Sequence, residues 1–280
     1  MSDKKKFKDL TIRDNFMFAA VMMYQDNCKQ FLEMLLGIQI KHIDISYEKS
    51  LVFNPECKGI RLDVYASDEN NTRYDIEMQV ASQELGKRIR YYHSQMDMEL
   101  LESGHEYKEL PKAYVIFICD YDPFKRGKYC YTFENRCIED LALNLNDESM
   151  SIILSTEGVN ADSIPKELKA FLDFVKEDTP TNDTQTEDAY VKQLQKSIRS
   201  VKENRKLERS FMSLEDVRNA AKLEGKQESI LILLERLGEV PNSIKKCIMS
   251  EVKEEILLEM LKVAASATSF GDFEERFLKS

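Results

Sequence analysis

Asp75, Glu77 and Gln79 share one side of residues 73–80 (RYDIEMQV) if that segment is a β-strand, because strand side chains alternate with a period of two. Tyr74, Ile76, Met78 and Val80 make the other side apolar. Residues 60–67 (IRLDVYAS) alternate in the same way, and Asp68-Glu69-Asn70-Asn71 between the two segments reads as a turn. A hairpin centred on Asn70 sets Asp63 opposite Glu77. Opposed residues of antiparallel strands have Cβ atoms about 5 Å apart on one face. Two carboxylates meeting at a point suit a hard divalent cation such as Mg²⁺, which commonly takes one or two protein carboxylates and completes its shell with water and phosphate. Gln79 is on the same face and could orient an attacking water or a phosphate oxygen. The competing reading is a half-buried hairpin with a solvated polar face, where Asp75 simply meets water and Arg61 or Arg73 neutralises the opposed acids.

The elements that would hold this hairpin are legible on either side. Spacing predicts one helix over residues 14–37, stopped by Gly37, then a strand over 43–53 ending before Asn54-Pro55. After the hairpin, Leu85, Ile89, Tyr92 and Met96 mark a helix over 82–103. The apolar run KAYVIFIC (112–119) reads as a strand buried on both faces, which after a helix suggests a crossover into the same sheet. Shorter strands are expected at 129–134 and 151–154, and a helix from Pro165 to about residue 176. The order is that of a mixed α/β fold.

At residues 177–188 the sequence turns polar and aperiodic. This places a domain over 1–177, a linker over 178–188 and a helical, charged tail over 189–280. In the tail, Ser213 and Asp216 form a candidate capping box. Ile230, Leu231, Leu233, Leu234 and Leu237 form an apolar stripe that needs a partner, either within the tail or on a second copy.

Composition narrows the function. The chain has 280 residues, 42% of them hydrophobic, enough for a sizeable core. Six cysteines without a CxxC pair and three histidines argue for a reduced, cytoplasmic protein rather than a disulfide scaffold or a zinc site. No apolar run reaches the roughly 18 residues of a membrane span, and no signal peptide is expected. A formal charge of −10 opposes wholesale coating of nucleic acid but allows a local phosphate-binding patch. Neither GxxxxGK[ST] nor GxGxxG occurs.

The pattern Asp63, then Asp75-Ile76-Glu77-Met78-Gln79-Val80, resembles the core of the PD-(D/E)XK nucleases. Residues 87–97 (KRIRYYHSQMD), 101–107 (LESGHEY), 114–119 (YVIFIC), 131–137 (YTFENRC) and 168–172 (LKAFL) extend the likeness to that superfamily's recombination-promoting nuclease and transposase group. It covers roughly residues 7–176, and the charged tail more loosely.

The resemblance implies a restriction-endonuclease-like core, a mixed central sheet flanked by helices, followed by the helical tail. It implies that Asp63 and Glu77 hold Mg²⁺ or Mn²⁺ with the Met78 carbonyl as a further ligand. Gln79 stands where most of the superfamily carries lysine, and it supplies no positive charge. Arg88 and Arg90, on the helix after the hairpin, would contact substrate phosphate. The implied activity is hydrolysis of DNA phosphodiesters with low sequence specificity, in recombination or transposition. DNA is the implied partner, and the tail would join copies into a homo-oligomer. The alternative is a catalytically degenerate nuclease fold acting as a DNA- or protein-binding scaffold. Asp14 and Glu33 lie on the first helix without an assigned role. His93 and His105 show no serine or carboxylate partner at an informative spacing.

Overall fold

The computed structural model describes residues 5–51, 58–101, 103–179 and 185–277, without the side chains of 47 and 48. The expected helix over 14–37 is two helices. In α1 (Asn15–Met22) every residue from Phe16 to Met22 is buried, whereas α2 (Gln25–Leu36) buries one stripe of Asn27, Cys28, Phe31 and Leu32. A straight helix could not bury an all-round apolar segment and a one-sided segment against the same surface. The chain therefore turns at Met23 and Tyr24, and Tyr24 starts α2 from an extended conformation. Gly37 ends α2 with a φ of 65°, the left-handed conformation glycine adopts without a Cβ penalty.

Strands β1 (Ile43–Leu51), β2 (Ile60–Asp68) and β3 (Arg73–Gln79) form an antiparallel meander. The end of the first expected strand, at 52 and 53, lies outside the described residues. The hairpin turn is fixed by Asp68, whose Oδ1 accepts the N–H groups of Asn70 and Thr72 at 2.9 Å each, while Asn71 takes a φ of 65°. Helix α3 (Leu85–Leu100) crosses over to β4 (Ala113–Cys119), which runs parallel to β3 and is buried throughout. Strand β5 (Cys130–Phe133) and strand β6 (Ser149–Ser155) complete a six-stranded sheet in the order β1-β2-β3-β4-β6-β5, with β6 parallel to β4.

Helix α3 covers one face of the sheet with Leu85, Ile89, Tyr92 and Met96, packed on Tyr65, Val115 and Phe117. On the other face α1 lies against β1, β2 and β3. Helices α4 (Lys166–Glu177) and α5 (Ala189–Glu203) pack on α2. Pro165, expected as the first helical residue, is instead the N-cap, and the helix begins at Lys166.

The first compact unit runs through Arg205, so α5, assigned to the tail on composition, packs with the core. It buries Tyr190, Val191, Leu194, Ile198 and Val201. Asn27 ties it down: its backbone carbonyl accepts the Tyr190 hydroxyl at 3.0 Å, its Oδ1 accepts Gln193 at 2.8 Å, and its Nδ2 donates to Ser197 at 2.9 Å. Of the expected linker, residues 180–184 lie outside the described residues. Its last residue, Asp188, caps α5 by accepting the Val191 N–H at 2.9 Å.

The second unit, Lys206–Ser280, is helical. Helix α6 (Arg205–Glu235) runs without a break, so no capping box forms at Ser213 and Asp216. Both side chains are exposed, and solvated side chains need not compete for the helix backbone. Ile230 and Leu234 of the apolar stripe are buried against α7 (Asn242–Ser250), α8 (Glu254–Ser266) and α9 (Phe270–Phe277), with Ile244, Ile248, Leu257 and Phe273. The stripe is thus satisfied within its own chain. Among the described residues no helix is long and apolar enough to cross a membrane.

Candidate active site

The hairpin register is the one that equal offsets from Asn70 require: Ser67 pairs with Arg73 and Val64 with Ile76. One step further, Asp63 and Glu77 face one another, but the ladder has ended. The Asp63 N–H donates to Glu77 Oε1 at 2.9 Å, and the Met78 N–H points to Asp63 Oδ2 at 3.4 Å. A strand residue turns its N–H and C=O to the same side, so the Met78 carbonyl also faces the Asp63 flank.

The polar face of β3 is not solvated. Asp75 is 0% exposed, Glu77 2%, Gln79 7% and Asp63 6%. Helix α3 lies over this face, and the reading in which Asp75 meets water is set aside. The ion pair on Glu77 comes from Arg88, while Arg73 donates to Asn71 and Arg61 acts on Asp63 through its charge.

Arg88 is the hub. Its Nη2 donates to Glu77 Oε2 at 2.8 Å and its Nη1 to Gln79 Oε1 at 2.7 Å. Nε and Nη2 both reach the Tyr92 hydroxyl, at 2.9 and 2.7 Å. The guanidinium stacks 5.0 Å from the ring centroids of Tyr92 and Phe117. Tyr92 lies one helical turn beyond Arg88, which brings the two side chains to one face.

Three carboxyl groups surround this cation. Burial, followed by the nearby Glu77 and Asp63 charges, pushes Asp75 well above the usual carboxylate range. Held as a neutral acid, it can donate its proton to Glu77 and has no other hydrogen-bond partner among the described residues. Burial and Asp63 raise Glu77 to about 7. Asp63 is also raised by burial, against the opposing pull of Asn15, the Met78 N–H, Arg61 and Arg88.

Asp63, Glu77, Met78, Gln79 and Arg88 therefore come together, while Arg90 does not join them. Arg90 is exposed and borders a separate cleft of about 450 Å³ with His93, Asp97, Ser149 and Ser151. His93 does have serine partners, at 3.2 Å from Ser149 and 3.1 Å from Ser151. Separations of 56 and 58 residues hid them. Asn15 is a further member: it starts α1 and donates to Asp63 Oδ2 at 2.9 Å. No local signal marks it. Its neighbour Asp14 instead caps Thr11, and Glu33 accepts the Ile40 N–H.

Among the described residues no three His, Cys, Asp or Glu side chains are arranged as a complete metal cage. The donor set nonetheless fits a hard divalent cation. Two opposed carboxylates are all such an ion commonly takes from a protein. All three carboxyls are raised by burial, so the pocket holds more acid than its one guanidinium neutralises.

A family model described as PD-(D/E)XK nuclease family transposase matches residues 18–225. No curated protein and no solved structure matches the chain.

Proposed function

The chain belongs to the PD-(D/E)XK nuclease family transposases, and from that premise we propose that it is a metal-dependent DNA endonuclease acting in recombination or transposition. The observation that carries the reading is the buried meeting of Asp63 and Glu77 at the point where the β2–β3 ladder ends. In this reading the two carboxylates and the Met78 carbonyl hold Mg²⁺ or Mn²⁺. A bound divalent cation lowers the pKa of water and neutralises charge building on a phosphoryl group.

The chain's own groups do the rest. Asn15 fixes the orientation of the Asp63 carboxylate. Gln79 has both ends of its amide engaged, the oxygen by Arg88 and the nitrogen by the Ala81 carbonyl, so it serves as a positioning residue for the guanidinium. Arg88, held in place by these partners, keeps beside the site the positive charge that a lysine at 79 would carry, and its field favours the negative charge that develops on a phosphoryl group. Phosphate-directed contacts carry no base sequence, which accords with low specificity. The C-terminal unit buries its apolar stripe in its own core; self-association would use its exposed residues, such as Val217 and Ile232.

A second reading, a degenerate scaffold, draws on the fact that both Glu77 oxygens are already engaged. Calorimetric titration with Mn²⁺ separates the two. Saturable binding to the wild type that disappears in Asp63→Ala supports the nuclease. Heat-silent titration of both chains favours the scaffold.

A further inference from the structure

We propose that the loop between β4 and β5, through Lys125, Arg126 and Lys128, is the surface that docks the phosphate backbone of duplex DNA beside the carboxylate site. The inference rests on the nuclease reading and says where that enzyme would grip its substrate.

A chain with a formal charge of −10 needs a concentrated cationic patch to hold DNA. The arginines close to the carboxylates are already committed. Arg88 is held by Glu77, Gln79 and Tyr92, and Arg13 by Asp120 and Asp178. Lys125, Arg126 and Lys128 differ: all three are exposed, and none forms an ion pair among the described residues.

The loop leaves the same end of the sheet at which Gln79 closes β3. Cys119 pairs with Gln79, the Asp120 N–H donates to the Gln79 carbonyl at 3.3 Å, and the Gln83 N–H donates to the Tyr121 hydroxyl at 3.3 Å. The three cations thus follow, within nine residues, a strand end bonded directly to the candidate site.

The loop is also built to hold one shape. The Asp122 carboxylate accepts the N–H groups of Phe124 at 3.0 Å, Arg126 at 2.9 Å and Gly127 at 2.7 Å, together with the Tyr131 hydroxyl. The Gly127 carbonyl accepts the Val159 N–H at 2.8 Å, and the Phe124 ring packs edge-on against Tyr131 at 4.8 Å. Lys125 and Gly127 take φ values of 52° and 67°. Asp122 spends its carboxylate on backbone donors, so its negative charge neutralises the loop's own amides rather than its lysines. Glu157, which accepts the Asp122 N–H, is the carboxylate at the loop's root. A loop ordered before binding presents cations to a phosphate backbone without a further ordering cost.

The test is DNA binding by the full chain in EDTA, which keeps the duplex uncut, compared with Lys125→Ala/Arg126→Ala/Lys128→Ala. Fluorescence anisotropy is recorded across a salt series. Each phosphate contact contributes about 0.9 to the slope of log K against log salt, so the triple variant should lose about 2–3 from that slope and roughly tenfold or more in affinity. With metal added, its KM for plasmid should rise while kcat holds within about twofold, because none of the three touches the carboxylates. Unchanged affinity and slope would overturn the loop assignment and leave the nuclease reading standing. A wild-type chain that binds no duplex would also overturn it, and wild-type plasmid cleavage would then show whether the nuclease reading falls too.

Discussion

Arg88 and Glu77 form an ion pair at 2.8 Å in which the carboxylate is 2% exposed at its side chain and the guanidinium 28%. The same guanidinium holds Gln79 and Tyr92, so it is the resident cation of a pocket with three carboxyl groups. Removing it leaves Glu77 buried without its counter-charge. Arg88→Ala is expected to cost about 2 kcal/mol in urea unfolding in EDTA, less than a fully buried pair because Arg88 is partly solvated. A divalent cation that binds the carboxylates should recover part of the loss, since it stabilises the folded state by mass action. No recovery with Mn²⁺ would argue against a cation site at these residues.

The raised carboxyls set the sign of the pH response. Glu77 moves from its ordinary 4.5 to about 7, and Asp75 is raised well above its own ordinary value. In that window the folded chain keeps protons that the unfolded chain has released, so this contribution is full below about pH 4.5 and is lost as pH rises through 7. Thermal midpoints in EDTA should therefore fall between pH 5 and pH 8, apart from any general trend. Asp75→Asn, which keeps the shape and removes the titration, should flatten that fall. A variant with the same pH slope as the wild type would place the titration elsewhere.

The candidate site was only partly legible in the sequence. Turn chemistry at Asp68 and Asn71 fixed the centre of the hairpin, and equal offsets then paired Asp63 with Glu77. Alternation assigns Asp75 to a face but does not say what covers that face, so its burial under α3 came only with the fold. The aim of Arg88 depended on the rotation of α3 against the sheet. Asn15 reaches Asp63 across 48 residues of chain, a contact no local pattern encodes.

The same limit affected the organisation of the chain. A polar stretch at 178–188 looks like a boundary, yet the helix after it is bonded to Asn27, 163–170 residues away. Asn27→Ala removes three side-chain hydrogen bonds, to the Val21 carbonyl, Ser197 and Gln193, and should cost about 2–3 kcal/mol. Truncation after 205 should leave a soluble, cooperatively unfolding core. Truncation after 177 strips the buried Tyr190, Leu194 and Ile198 from α2 and α4, and should yield an aggregating chain. Equal behaviour of the two truncations would detach α5 from the core.

Cleavage of supercoiled plasmid with Mg²⁺ or Mn²⁺, by wild type and Glu77→Ala purified in parallel, tests the central claim most directly. Nicked and linear product is expected from the wild type, with a loss of about a hundredfold or more in the variant and no product from either in EDTA. Equal cleavage by both chains would assign the activity to something other than the Asp63–Glu77 site. No cleavage by either, with no metal bound, would contradict the nuclease and leave the scaffold.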